Sequence, residues 1–178
     1  MSVIFEENVR ENSVKDVANK MMIAARTAPK ARGRDNLVIA LAEKKEIVEI
    51  STAMRELALT RELPTFIRDA DNILKAEVIF LIGTKLIPLG LDCGLCGLAT
   101  CLEKAKYPKQ PCVFNSSDLG VALGSAISVA ADYRVDSRVM FSVGVAAGKL
   151  GLLGRDVAIC YGVPLSVTGK NIFFDRRK

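Results

Sequence analysis

The apolar positions of the chain fall into two rhythms, one helical and one of short continuous runs. Val14, Val17, Ala18, Met21, Met22 and Ala25 recur at helical spacing. They predict a first helix opened by Ser13, with Asp16 three residues on as the acidic partner of the cap. Pro29 ends this helix at or before Ala28, because a proline ring disfavours the helical region for the residue before it. Leu37 to Leu41 is a short apolar run that predicts a buried strand, and Lys44 and Lys45 mark a turn after it. From Glu46 to Arg61, Ile47, Ile50, Met54, Leu57 and Ala58 share one face and predict a second helix. Pro64 suits the first turn of a short helix over Thr65 to Leu74. Its RDADN stretch, Arg68 to Asn72, reads as helix surface.

In the second half, Glu77 to Ile82 is apolar at both parities, so a strand here is covered on both faces. Gly83 and Pro88 are expected to end it. The run Asn115, Ser116, Ser117 and Asp118 offers an N-cap. Leu119, Ala122, Leu123, Ala126, Ile127 and Ala130 then recur with strong helical periodicity. Gly120, Gly124 and Ser128 lie along one line of that helix. Such a stripe admits a second backbone, either in a homodimer or from a helix of the same chain. Val139 to Leu150 predicts a further helix, or a strand leading into one, closed by Gly148, Gly151 and Gly154. Val157 to Val163 reads as a strand, and Arg176, Arg177 and Lys178 as a solvated tail. Three apolar strands separated by helices imply a single domain over residues 1–178. Its class is α/β or α+β, with a central sheet flanked by helices.

Composition narrows the function. Half of the 178 residues are hydrophobic, and with seven Phe, three Tyr and no Trp the core must be largely aliphatic. A net charge of +5 is spread along the chain. It can attract an anionic cofactor, but so few aromatics leave little for nucleic-acid bases to stack on, so nucleic acid is not an expected partner. The N-terminal residues MSVIFEENVRENSV lack an apolar signal core. The longest uncharged runs, Leu119 to Ala131 and Val157 to Gly169, are too short to span a bilayer. No membrane partner is expected, and the cytoplasm is the expected compartment. Thiols stay reduced there, and clustered cysteines indicate metal binding or redox work. Histidine is absent. That excludes Ser-His-Asp and Cys-His catalysis and any histidine-ligated zinc or haem.

The candidate chemistry lies in residues 92–114, DCGLCGLATCLEKAKYPKQPCVF. Cys93, Cys96, Cys101 and Cys112 follow the spacing C-x2-C-x4-C-x10-C. Two residues between Cys93 and Cys96 let both sulfurs face one centre, and Gly94 and Gly97 permit the positive φ that turns N–H groups toward anionic sulfur. The pattern matches neither common ferredoxin run. It favours an iron–sulfur cluster, with zinc as the alternative and free or disulfide-exchanging thiols as a third reading. Cys160, alone in a strand, reads as core. A second candidate is the basic loop with Arg26, Lys30, Arg32 and Arg34 around Pro29 and Gly33. Guanidinium groups there can clamp a phosphate, or simply pair with neighbouring carboxylates.

The segments ARTAPKARGRDNL, RDADNILKAE, CGLCGLATC, DLGVALGSA, SVGVAAGKLGL and GVPLSVTGKNIFFDR resemble a prokaryotic family known as ferredoxin domain-containing proteins. The resemblance covers nearly the whole chain. It implies a [4Fe-4S] cluster on Cys93, Cys96, Cys101 and Cys112. The order of elements is also similar to the nitroreductase group of flavin enzymes: helix, A-R-x-A-P loop, strand, helix, strand, Asp-led alanine-rich helix. That similarity implies a dimer with FMN at its interface and the flavin phosphate held by Arg26, Lys30, Arg32 and Arg34. Pro29-Lys30 and Asn36-Leu37 depart from the Pro-Ser and Asn-x-Gln-Pro of that group. The resulting expectation is an iron–sulfur redox protein, either an electron carrier or a flavin-linked oxidoreductase, with no substrate or redox partner specified. The alternative is a binding protein stapled by a four-cysteine zinc or cluster site without catalysis.

Overall fold

The computed structural model describes residues 3–174. The expected tail of Arg176, Arg177 and Lys178 lies outside the described residues. Four strands form one sheet in the order β1-β2-β4-β3: β1 (Leu37–Ala42), β2 (Val78–Lys85), β3 (Asp136–Ser137) and β4 (Val157–Ser166). Every pair is antiparallel. Helices α1 (Arg10–Thr27) and α5 (Val113–Asp132) cover one face. Helices α2 (Lys44–Arg61), α3 (Pro64–Ile73) and α6 (Phe141–Leu150) cover the other. A sixth, α4 (Cys101–Ala105), belongs to the cysteine segment.

The double-sided hydrophobicity of β2 follows from this sandwich. Val78, Phe80 and Ile82 point into the α1/α5 core, while Ile79 and Leu81 point into the α2/α3/α6 core. Strand side chains alternate faces, so a strand between two helical layers must be apolar at every position.

Several boundaries differ from expectation. Helix α1 begins at Arg10, not after Ser13, and the Ser13 hydroxyl donates back to Val9 O at 3.0 Å inside the first turn. Lys44 and Lys45 open α2 instead of marking a turn, behind Glu43 at the cap position. Strand β2 runs through Gly83 to Lys85, because Gly83 lets the strands pack closely there. A Cβ on it would lie 2.5 Å from Val157 Cγ1 and 2.8 Å from Ile159 O. Helix α5 starts at Val113, with Cys112 at its N-cap, ahead of the Asn115 to Asp118 run expected to cap it. Asp69 is not surface: it is buried and accepts the Ser142 hydroxyl at 2.7 Å, tying α3 to α6.

Among the described residues α5 has the length and mean hydropathy, 1.2, of a membrane span. Leu119, Ala122, Leu123, Ala126 and Ala130 put its inner face in the core, which accounts for that composition. Gly120, Gly124 and Ser128 are exposed, and a Cβ on either glycine would meet nothing within 4 Å. Among the described residues no helix packs against the two glycines of the stripe.

Candidate functional site

Beyond Lys85 the chain leaves the sheet and wraps into the cysteine segment without regular structure until α4. Gly90, Asp92, Gly94 and Gly97 take positive φ values of +70°, +46°, +71° and +84°. These residues reverse the chain repeatedly and fold the segment onto itself. The Gly97 N–H donates to Gly94 O at 2.9 Å and closes a turn around Cys96, so it is not turned toward sulfur as the glycine pattern predicted. Asp92 Oδ1 accepts the Cys101 N–H at 2.6 Å, and the Gln110 side chain donates to Cys96 O at 3.2 Å. Thr100 Oγ1 accepts the Glu103 N–H at 3.1 Å, while the Glu103 carboxylate accepts the Ala99 N–H at 3.1 Å. The Thr100 cap, with Glu103 reaching back to the residue before it, fixes the start of a five-residue helix at Cys101.

The four cysteines spaced in sequence are brought to the wall of one hollow. Cys112 lies at its buried end, Cys96 and Cys101 are half-buried, and Cys93 is exposed at the rim. Leu89, Leu98 and Phe114 supply apolar wall. All four thiols are free. The cavity itself is about 10 Å³, room for roughly one water molecule. Among the described residues, no three Cys, Asp or Glu side chains gather closely enough to hold one metal ion. A four-thiolate zinc site needs all its sulfurs about 2.3 Å from a single ion. A cluster places each thiolate on a different iron, so its ligands surround a wider space. Four thiols are a donor set that a cluster uses, and neither a cluster nor a zinc geometry is preformed among the described residues.

The basic loop is largely occupied with the protein itself. The Arg26 guanidinium donates to Asp35 Oδ2 at 2.7 Å and Leu37 O at 3.2 Å. Burial alone pushes the Asp35 carboxyl up. The bond from Arg26, the Leu37 N–H and the charges of Arg26 and Lys30 outweigh it and hold the carboxyl below its ordinary value. The Lys30 side chain is 5% exposed and donates to Ala25 O at 2.7 Å and to Arg26 O, closing the carbonyl end of α1. Arg32, at φ +57°, donates to Leu89 O at 3.0 Å and Gly90 O at 3.2 Å. The Ala31 N–H is shared between the two oxygens of Asp118, at 3.1 and 3.2 Å, so that residue anchors the loop to α5. Only Arg34 of the four cations has no partner among the described residues. The loop therefore buttresses the cysteine hollow: Arg32 grips the strand of chain that enters it.

Two residues of the hollow escaped the sequence reading, Asp92 and Lys104. Lys104 is 2% exposed. Its signal was available, since Cys101 and Lys104 are three residues apart in a helix with a T-x-x-E start. Cys160, expected in the core, is half-buried: it packs against the α2/α3/α6 cluster from its edge, and burial pushes its thiol up to about 12.

The frame defines a class: an α/β sandwich of the nitroreductase-like fold, with a four-thiol segment between β2 and α5. Solved structures share this frame, three of them as follows. A BluB-like flavoprotein from Clostridium difficile 630 aligns over 92% of this chain and 84% of its own at 17% identity and TM-score 0.59. A nitroreductase with bound FMN from Desulfitobacterium hafniense DCB-2 aligns over 87% and 78% at 13% identity and TM-score 0.60. A nitroreductase family protein from Clostridium novyi NT aligns over 97% and 81% at 12% identity and TM-score 0.60. At such identities the likeness is one of fold.

A family model described as "Uncharacterized protein containing a ferredoxin domain (DUF2148)" matches residues 109–176. An uncharacterized protein from Archaeoglobus fulgidus is 39% identical, with 96% of each chain aligned. The chain belongs to this ferredoxin-domain family. The segment matched by the family model contains Cys112 alone of the four cysteines.

Proposed function

We propose that the protein is an iron–sulfur redox protein on a nitroreductase-like frame, with a [4Fe-4S] cluster held by Cys93, Cys96, Cys101 and Cys112. The observation that carries this reading is that a chain without histidine brings four free thiols to one hollow. A bound cluster supplies single-electron storage and transfer. The protein's part is to fix the thiols through the Asp92 bond to Cys101 and the α4 cap. Leu98 and Phe114 would limit the access of water to the group, and Cys93 would be its ligand at the exposed rim. Anaerobic purification with iron and sulfide analysis tests it. Iron and sulfide near four per chain are expected. A colourless protein that takes up neither on reconstitution refutes the reading, and zinc without iron selects the structural alternative. Cys101→Ser should then lose the cluster while keeping the fold if the role is redox, and unfold if the site is a staple.

A flavin-linked oxidoreductase is the second reading, favoured by the shared frame. Here FMN adds two-electron chemistry. For Arg26, Lys30 and Arg32 to hold its phosphate they must release Asp35, the α1 carbonyls and the Leu89 and Gly90 carbonyls. Arg34 can bind without that exchange. A yellow chromophore released on denaturation is the expected result, and its absence removes this reading alone. The exposed Gly120, Gly124 and Ser128 face supports a homodimer, which sedimentation at monomer mass would exclude.

A further inference from the structure

A buried lysine shares the wall of the hollow with the four thiols. Lys104 lines it and is 2% exposed. Its ammonium donates one hydrogen bond, to Tyr107 O at 3.3 Å, although it carries three donors. No carboxylate among the described residues pairs with it within 4.0 Å. The two acids of the segment are engaged by backbone, Asp92 by Cys101 and Glu103 by Ala99. Lysine is almost never fully buried unless paired, because an isolated charge is costly to take out of water. A chain that keeps one here needs an anion its own carboxylates do not supply. Thiolates around an inorganic centre are such an anion, and the centre gains one more negative charge on reduction.

We propose that Lys104 is the built-in counter-ion of the four-thiol site, favouring the bound anionic centre and, more strongly, its reduced form. This rests on the iron–sulfur reading above. Local structure supports it: Cys101 and Lys104 stand three residues apart on α4, so one short capped helix delivers both a ligand and the balancing charge. Lys104 is a positioning and tuning residue and ligates nothing.

The test compares anaerobically reconstituted wild type, Lys104→Arg and Lys104→Gln by iron and sulfide content and by redox titration of the loaded proteins. Removing the charge should disfavour electron uptake by at least tenfold, which for a one-electron couple is a potential about 59 mV more negative. Lys104→Arg should stay close to wild type. A lysine that merely anchors the turn at Tyr107 leaves the potential unmoved, so a loaded Lys104→Gln protein titrating with wild type overturns the proposal. If Lys104→Gln takes up no cluster, rescue of loading by Lys104→Arg supports the role and failure of both overturns it. Wild type that binds neither iron nor sulfide sinks the cluster reading itself, a result distinct from a loaded variant with unchanged potential.

Discussion

Two glycines four residues apart in α6 should respond to alanine with opposite signs. Gly144 faces β4, where a Cβ would lie 1.8 Å from the Cys160 carbonyl oxygen, 2.4 Å from its carbon and 2.9 Å from the Tyr161 Cα. Ordinary contact begins at 3.4 Å. All three obstacles are backbone, held in a strand that is itself paired to β2 through Cys160–Gly83 and Tyr161–Ile82. No side chain can rotate out of the way, so the helix must retreat from the sheet. Overpacking a core costs about 1–3 kcal/mol and occasionally more. With rigid backbone on both sides, Gly144→Ala belongs at about 3 kcal/mol or above. In a domain of this size that lowers the melting temperature by roughly 6–12 °C. Gly148 lies one turn on, is exposed, and a Cβ there would meet nothing within 4 Å. Gly148→Ala removes only the backbone-entropy penalty of glycine in a helix and should stabilise by about 0.5–1 kcal/mol. Urea unfolding of both variants and wild type, comparing midpoints at unchanged slope, makes the measurement. A Gly144→Ala protein as stable as wild type would refute the close α6–β4 approach, whatever Gly148→Ala does.

Three other outcomes follow from single contacts. With its thiol pushed up to about 12, Cys160 presents on the order of one thiolate in ten thousand at pH 8. In protein free of metal it should therefore be alkylated by iodoacetamide well after the exposed Cys93 in peptide mapping; early labelling would contradict its packing. Ser142→Ala strips a donor from buried Asp69 and should destabilise by about 1–3 kcal/mol in the same urea assay, and a neutral result would count against the α3–α6 tie. The depressed Asp35 carboxyl contributes stability above the unfolded-state pKa of about 4, which is lost as pH falls through the lower folded value. Asp35→Asn should flatten the acid limb of the stability profile, and an unaltered limb would show that the Arg26 pair carries no linkage.

What the order of residues determined by itself was periodicity and inventory. The spacing of apolar residues located the main helices and the three long strands, because burial of one helical face or of both strand faces leaves a mark readable from neighbours alone. The inventory singled out residues 92–114 as the candidate for chemistry, since they hold four of the five cysteines of a chain without histidine. Caps were less legible. Val9 and Cys112 open α1 and α5 with no side-chain hydrogen bond, so no residue type announced them. Strand β3 has two residues and exists only because β4 lies beside it.

Only the tertiary structure decided which charges were available. Arg32 looked like a phosphate ligand in sequence, but its acceptors, Leu89 and Gly90, lie almost sixty positions away. Asp69 looked like surface until α6 covered it. Lys104 looked like one more solvated lysine, and its burial in the wall of the thiol hollow required the 86–112 segment to fold back on itself. Charge and polarity are properties of a residue, but what satisfies them is supplied by distant chain, and no local pattern records that.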